Sequence, residues 1–167
     1  MIKIGITGNI GSGKSVVCEL LKIHGIPVYN ADKEAKRLND SSPTIREKLI
    51  RHFGKEIYVG NKLDKNKFAQ LIFNDPEKLS LANSIIHPEV AKDFAAWVAS
   101  KNNYPIVALE AAVLFEGNFH HYVDKTITVY APPELRIARA SQRDNVPKEK
   151  IKEREKNQIP DEEKLKM

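Results

Sequence analysis

Gly8-Asn9-Ile10-Gly11-Ser12-Gly13-Lys14-Ser15 is the stretch that decides how this chain folds. It matches G-x-x-x-x-G-K-[ST], a loop in which glycines permit positive φ and let successive backbone N–H groups turn toward phosphate oxygens. The flanks suit it. Ile2, Ile4 and Ile6 with Thr7 form a short β-rich run ahead of the loop, and from Lys14 to His24 the residues Val17, Leu20 and Leu21 recur at helical spacing. Strand, glycine loop and helix together predict a nucleoside triphosphate site, with the phosphates at the positive end of the helix. The nucleotide-binding set is Gly8, Gly11, Ser12, Gly13, Lys14, Ser15 and Val16. Lys14 suits a point charge on the β and γ phosphates of a nucleoside triphosphate, and the Ser15 hydroxyl suits a ligand of Mg²⁺.

Outward from the loop, Ile26 to Tyr29 reads as a second strand, followed by Asn30-Ala31-Asp32, where a polar residue caps a helix running to Leu38. Residues 43–102 read as a helical insertion with starts near Pro43, Asp64, Asp75-Pro76 and His87-Pro88. Ile106 to Leu109 and Thr126 to Tyr130 read as further strands, and Pro132-Pro133 opens a helix through Leu135, Ile137 and Ala138. Alternating β and α elements predict an α/β fold of the P-loop NTPase type, three layers with a parallel core sheet. The last twenty residues interleave seven basic and six acidic side chains and read as a solvated helical face.

Composition narrows the function classes. A chain of 167 residues with 41% hydrophobic and 29% charged residues is sized for one globular domain. Its net charge of +5 favours an anionic partner, but the basic residues are dispersed and no basic stripe interleaved with aromatics marks nucleic acid. Met1 to Thr7 lacks the pattern of an export signal, and Val107 to Phe115, interrupted by Glu110, is too short to span a bilayer. The expectation is a soluble, cytoplasmic protein, monomeric by default and without nucleic-acid or membrane partners. Cys18 is the single cysteine and reads as a small core residue of the first helix. His120-His121 has no third ligand at metal spacing, and Trp97 sits at packing distance along a helix from Phe94.

Two carboxylate readings bear on the reaction. Asn61-Lys62-Leu63-Asp64 spells N-K-x-D, which resembles the guanine-reading motif of GTPases, but it follows the weak run Tyr58-Val59-Gly60 and Asp64 reads as the cap of a helix from Lys65 to Phe73. Asp32 lies 18 residues beyond Lys14, just after the second strand. In an open α/β sheet the strand ends gather at one edge, so Asp32 is a candidate general base for an attacking hydroxyl, and alternatively a helix cap.

At the level of whole motifs the chain resembles the dephospho-coenzyme A kinases. Ile6-Thr7-Gly8 with Ile10 to Ser15 is similar to that family's phosphate loop, and Ala31-Asp32 to its D-A-D element. Gly60 with Leu63-Asp64, Ile86-His87-Pro88, Leu114-Phe115-Glu116, and Arg139, Arg143-Asp144, Gln158 and Lys164 resemble its later elements in order. Asn9 stands where glycine is common, Asn30 replaces the first Asp of D-A-D, Lys65 an arginine and Ala112 a proline. The resemblance implies ATP- and Mg²⁺-dependent phosphorylation of the ribose 3′-hydroxyl of dephospho-coenzyme A, the last step of coenzyme A synthesis. It makes Asp32 the base, places Arg143 and Arg139 in a lid at about 139–158, and puts His87 and Arg139 beside the substrate with the helical insertion. By this resemblance the family's C-terminal strand and closing helix are missing, since the chain stops at Lys166-Met167. A nucleoside or nucleoside-monophosphate kinase and a nucleotide-dependent binding module are the alternatives.

Overall fold

The computed structural model describes residues 1–73 and 75–167, in two compact units: Met1–Asn30 with Val98–Met167, and Ala31–Trp97.

The first unit is built on a parallel sheet. Strands β1 (Ile2–Thr7), β2 (Val28–Asn30), β5 (Ile106–Glu110) and β6 (Lys125–Thr128) lie in the order β2-β5-β1-β6. Ile2 pairs with Ile106 and Ile6 with Glu110, Ile4 pairs with Lys125 on the other side, and Asn30 of β2 lies opposite Glu110. Val107, Ala108 and Leu109 are wholly buried, as a parallel strand covered on both faces requires. Helix α1 (Lys14–Ile23) packs Cys18 against Ile6 and Ala108, with Val17, Leu21, Ile26 and Val28 around them. This is the small-core role expected of Cys18.

Helices α6 (Pro133–Asp144), α7 (Lys148–Glu155) and α8 (Asp161–Lys164) complete the unit. Ile137, Ala140 and Ile151 form a small core with Ile10 and Val146 packed on it. Asn145 at φ 51° ends α6, and Ser141 Oγ donates to Val146 O at 2.6 Å across the turn. The inward face of α6 is Arg136, Ile137 and Ala140, while Leu135 is 43% exposed. One expectation is corrected here. The last twenty residues are not a uniformly solvated face, since Ile151, Asp161 and Lys164 are buried.

The second unit carries α2 (Ala31–Ser41), α3 (Pro43–Phe53), a 3₁₀ turn at Lys55–Ile57, a hairpin of β3 (Tyr58–Val59) and β4 (Lys62–Leu63), α4 (Lys65–Ile72) and α5 (Pro76–Ala99). Ser42 caps α3 by accepting from Ile45 N at 3.3 Å, with Pro43 inside the first turn where its missing N–H costs nothing. Ile45, Leu49 and Ile57 are fully buried, and Phe53 meets Phe68 edge to face at 5.3 Å. The N-K-x-D stretch is the hairpin turn and second strand: Gly60 has φ 59°, and Asp64 accepts from Asn66 N at 3.1 Å and Lys67 N at 3.0 Å. Its carboxylate is spent on capping α4, which disposes of the guanine-reading pattern.

The helix start expected at His87-Pro88 is absent, because α5 runs unbroken from Pro76 to Ala99. A proline inside a helix removes one hydrogen bond and crowds the preceding turn. The buried face of Ala82, Ile85, Ile86, Val90, Ala91 and Phe94 continues through it and offsets that cost, while Pro88 itself faces solvent. Trp97 stacks on Phe94 with ring centres 6.1 Å apart, the packing role expected of it.

Candidate active site

The loop between β1 and α1 is shaped by two kinds of glycine. Gly8 (φ 145°) and Gly11 (φ 79°) stand against backbone: a Cβ would lie 2.2 Å from Val129 O at Gly8 and 2.1 Å from Arg136 O at Gly11. Gly13 (φ 102°) has open space around it and needs only the left-handed conformation. Gly11 is therefore held by the close approach of α6. Ser12 N donates to Asn9 O at 3.0 Å and closes the turn, while Lys14 Nζ donates to Gly8 O at 2.6 Å and Asn9 O at 3.5 Å. The N-terminal turn of α1 carries no acidic residue and no side-chain cap, so the positive end of the helix is not neutralised from within.

Glu110 joins this loop from the end of β5. It is 8% exposed; one carboxylate oxygen accepts from Asn30 Nδ2 at 2.6 Å and the other from Ser15 Oγ at 3.4 Å. Burial, and then the Glu110 carboxylate, push the Cys18 thiol up to about 12. In the sequence Glu110 stands out only as a break in an apolar run. A lone carboxylate at the carboxyl end of an otherwise apolar strand, beside a phosphate loop, was the signal available.

Ser15 and Glu110 offer oxygen donors only, the chemistry of a hard cation that keeps water and phosphate oxygens as its remaining ligands. Among the described residues no cluster of three or more His, Cys, Asp or Glu could hold a metal by itself. The pair fits Mg²⁺ bound together with a nucleotide. His120 and His121 lie in the 3₁₀ turn Phe119–Tyr122, with ring centres 4.0 Å apart.

The C-terminal segment reaches the back of the loop through Arg136, which nothing in the sequence singles out, and through Gln158 and Lys164, which the family resemblance names without a role. Arg136 is 3% exposed; it donates to Ala131 O at 2.9 Å and Ile10 O at 3.4 Å, and pairs with Glu155 at 2.6 Å and Asp161 at 3.0 Å. Gln158 Oε1 accepts from Ile10 N at 3.0 Å, and its Nε2 donates to Ala112 O at 3.3 Å. Lys164 Nζ donates to Asn9 Oδ1 at 2.8 Å and lies 3.0 Å from Glu116 Oε1. A cavity of about 420 Å³ opens beside these groups, lined by Asn9, Pro133, Arg136, Lys152, Gln158 and Asp161 among others.

The remaining sequence candidates are spread over both units. Arg139 and Arg143 lie exposed on α6; Arg143 donates to both oxygens of Asp144 at 2.8 and 3.2 Å, and Arg154 reaches the same carboxylate at 2.9 Å. The Arg143 bond and the two guanidinium charges hold Asp144 below its ordinary value. Val16 is 65% exposed on the first turn of α1. Asp32 is the second residue of α2, exposed, and His87 is half-buried on α5, where burial lowers its basicity.

The comparisons add what the loop alone leaves open. A family model described as dephospho-CoA kinase matches residues 2–167. The chain belongs to the dephospho-CoA kinase family. A dephospho-CoA kinase of Bacteroides fragilis is 45% identical over 163 residues, which cover 98% of this chain and 80% of the relative. One from Thermus thermophilus is 39% identical, with 99% of this chain and 79% of the relative covered. Among solved structures, a Thermus thermophilus crystal structure matches with TM-score 0.87 at 40% identity over 99% of this chain and 84% of that one. A dephospho-CoA kinase from Campylobacter jejuni matches with TM-score 0.66 at 27% identity over 98% and 83%. Among the described residues no helix of this family member is long and apolar enough to cross a membrane.

Proposed function

We propose that this chain transfers the γ phosphate of ATP to the ribose 3′-hydroxyl of dephospho-coenzyme A, giving coenzyme A and ADP. Family membership makes it a kinase of the last step of coenzyme A biosynthesis. The observation that carries the ATP reading is the loop of Gly8 to Ser15 between β1 and α1, with Glu110 set against Ser15.

Lys14 exchanges the Gly8 and Asn9 carbonyls for phosphate oxygens, and the backbone amides at the start of α1 take the others. Ser15 and Glu110 would hold Mg²⁺, which would supply charge neutralisation to the nucleotide phosphates. Asp32 accepts the proton of the 3′-hydroxyl as the new O–P bond forms and the bond to the ADP oxygen breaks. Support for Asp32 is its place two residues beyond Asn30, whose amide is already bound to Glu110. A base in that role contributes about 10²–10⁴ in rate. Arg143 and Arg139 add positive charge from α6 when nucleotide is bound, and His87 and Arg139 contact the acceptor.

The test is ADP release from Mg-ATP with dephospho-coenzyme A, beside AMP, CMP, UMP, adenosine and no acceptor, with the product identified by mass. Phosphate gained by dephospho-coenzyme A alone is expected; a different preferred acceptor would overturn the substrate reading. Asp32→Asn is expected to lower kcat by at least about 10²-fold with nucleotide affinity kept. A full-rate variant removes Asp32 from the chemistry.

A further inference from the structure

We propose that Lys164 is a positioning residue for the phosphate loop, acting through the side chain of Asn9. This rests on the reading of that loop as the nucleotide site.

The Lys164 side chain is wholly buried; its ammonium donates to Asn9 Oδ1 at 2.8 Å and Ala112 O at 3.4 Å and forms an ion pair with Glu116 Oε1 at 3.0 Å. A buried ion pair with one carboxylate rarely adds stability over an apolar isostere, and its best-attested use is to fix register. The register fixed here is that of Asn9, 2% exposed and 155 positions away in the chain. Asn9 is also the hinge of the loop: its carbonyl accepts from Ser12 N and from Lys14 Nζ. Side chain and carbonyl belong to one residue, so holding the first sets the direction of the second, and with it the turn that presents Lys14. The anchor is itself fixed. Asp161, at the start of the same short helix, pairs with Arg136, which donates to Ile10 O and supplies the carbonyl against which Gly11 sits. Asn9, Ile10 and Gly11 are thus each held by the C-terminal segment or α6, and the tie from Lys164 is made to a side chain of the loop.

The test is a double-mutant cycle on the full chain with Lys164→Met and Asn9→Ala, reading the Kd for Mg-ADP and the thermal midpoint. Each single variant is expected to weaken Mg-ADP about tenfold, the size of one hydrogen bond to a charged group. The double variant is expected to be no weaker than the worse single one, since both remove the same link. A product of the two single losses would overturn the proposal, as would a lowered midpoint with Mg-ADP affinity unchanged. Should Lys164→Met not fold, Asn9→Ala decides alone: it keeps the Lys164–Glu116 pair, so lost affinity supports the link and kept affinity overturns it. Failure of the parent protein to bind Mg-ADP would instead overturn the nucleotide reading.

Discussion

Replacing Gly11 by alanine should be far more damaging than the same change at Gly13, two residues away in the same loop. Both positions have φ in the left-handed region, 79° and 102°, where an L residue costs about 1–2 kcal/mol. Alanine recovers about 0.4–1 kcal/mol of this by restricting the unfolded chain. At Gly13 nothing lies within 4 Å of the added Cβ, so the net loss should be about 1 kcal/mol. At Gly11 the Cβ would lie 2.1 Å from Arg136 O, where ordinary carbon–oxygen contact begins near 3.3 Å, so about 1.2 Å must be found. The obstacle is backbone, and Arg136 is tied to Ile10, Ala131, Glu155 and Asp161, so it yields little. Overpacking of this kind adds about 1–3 kcal/mol, which brings the Gly11→Ala loss to about 2–4 kcal/mol. Urea unfolding of the two variants and the parent gives the comparison from midpoints at constant m. Equal losses within about 0.5 kcal/mol would refute the argument that close approach of α6 dictates glycine at position 11.

Three further outcomes follow from the geometry. Arg136→Met should cost about 3–5 kcal/mol, because it leaves Asp161 buried without its partner, and Arg136→Met with Asp161→Asn should recover part of that in the same urea assay. Cys18, its thiol pushed up to about 12, should stay protonated at pH 8 and react with iodoacetamide only at the rate of unfolding; rapid alkylation of the folded protein would contradict its burial beside Glu110. Asp144 is held below the usual carboxylate range, so its contribution to stability is present above about pH 4 and disappears as pH falls through its folded value. Asp144→Asn should therefore lower the thermal midpoint at pH 7, by an amount that shrinks as pH falls through the folded value of Asp144.

The sequence by itself determined what contiguous residues encode. A phosphate cradle is made of consecutive amides, so Gly8 to Ser15 displays it in order, and the strand and helix on either side follow from the periods of Ile2, Ile4 and Ile6 and of Val17, Leu20 and Leu21. Helix caps are equally local, which is why Asp64 was legible as a cap within a stretch that spells a guanine-reading motif. The tertiary structure decided what depends on partners far along the chain. Ser15 meets Glu110 across 95 positions, Ile10 meets Arg136 across 126 and Asn9 meets Lys164 across 155. Period and composition cannot rank such residues. Lys164 sits in a run of mixed charge that reads as solvated, and Arg136 sits between apolar residues of α6 with no local partner to mark it. A charge can be buried only where other elements bring acceptors to it, and that condition belongs to the fold and not to any window of sequence.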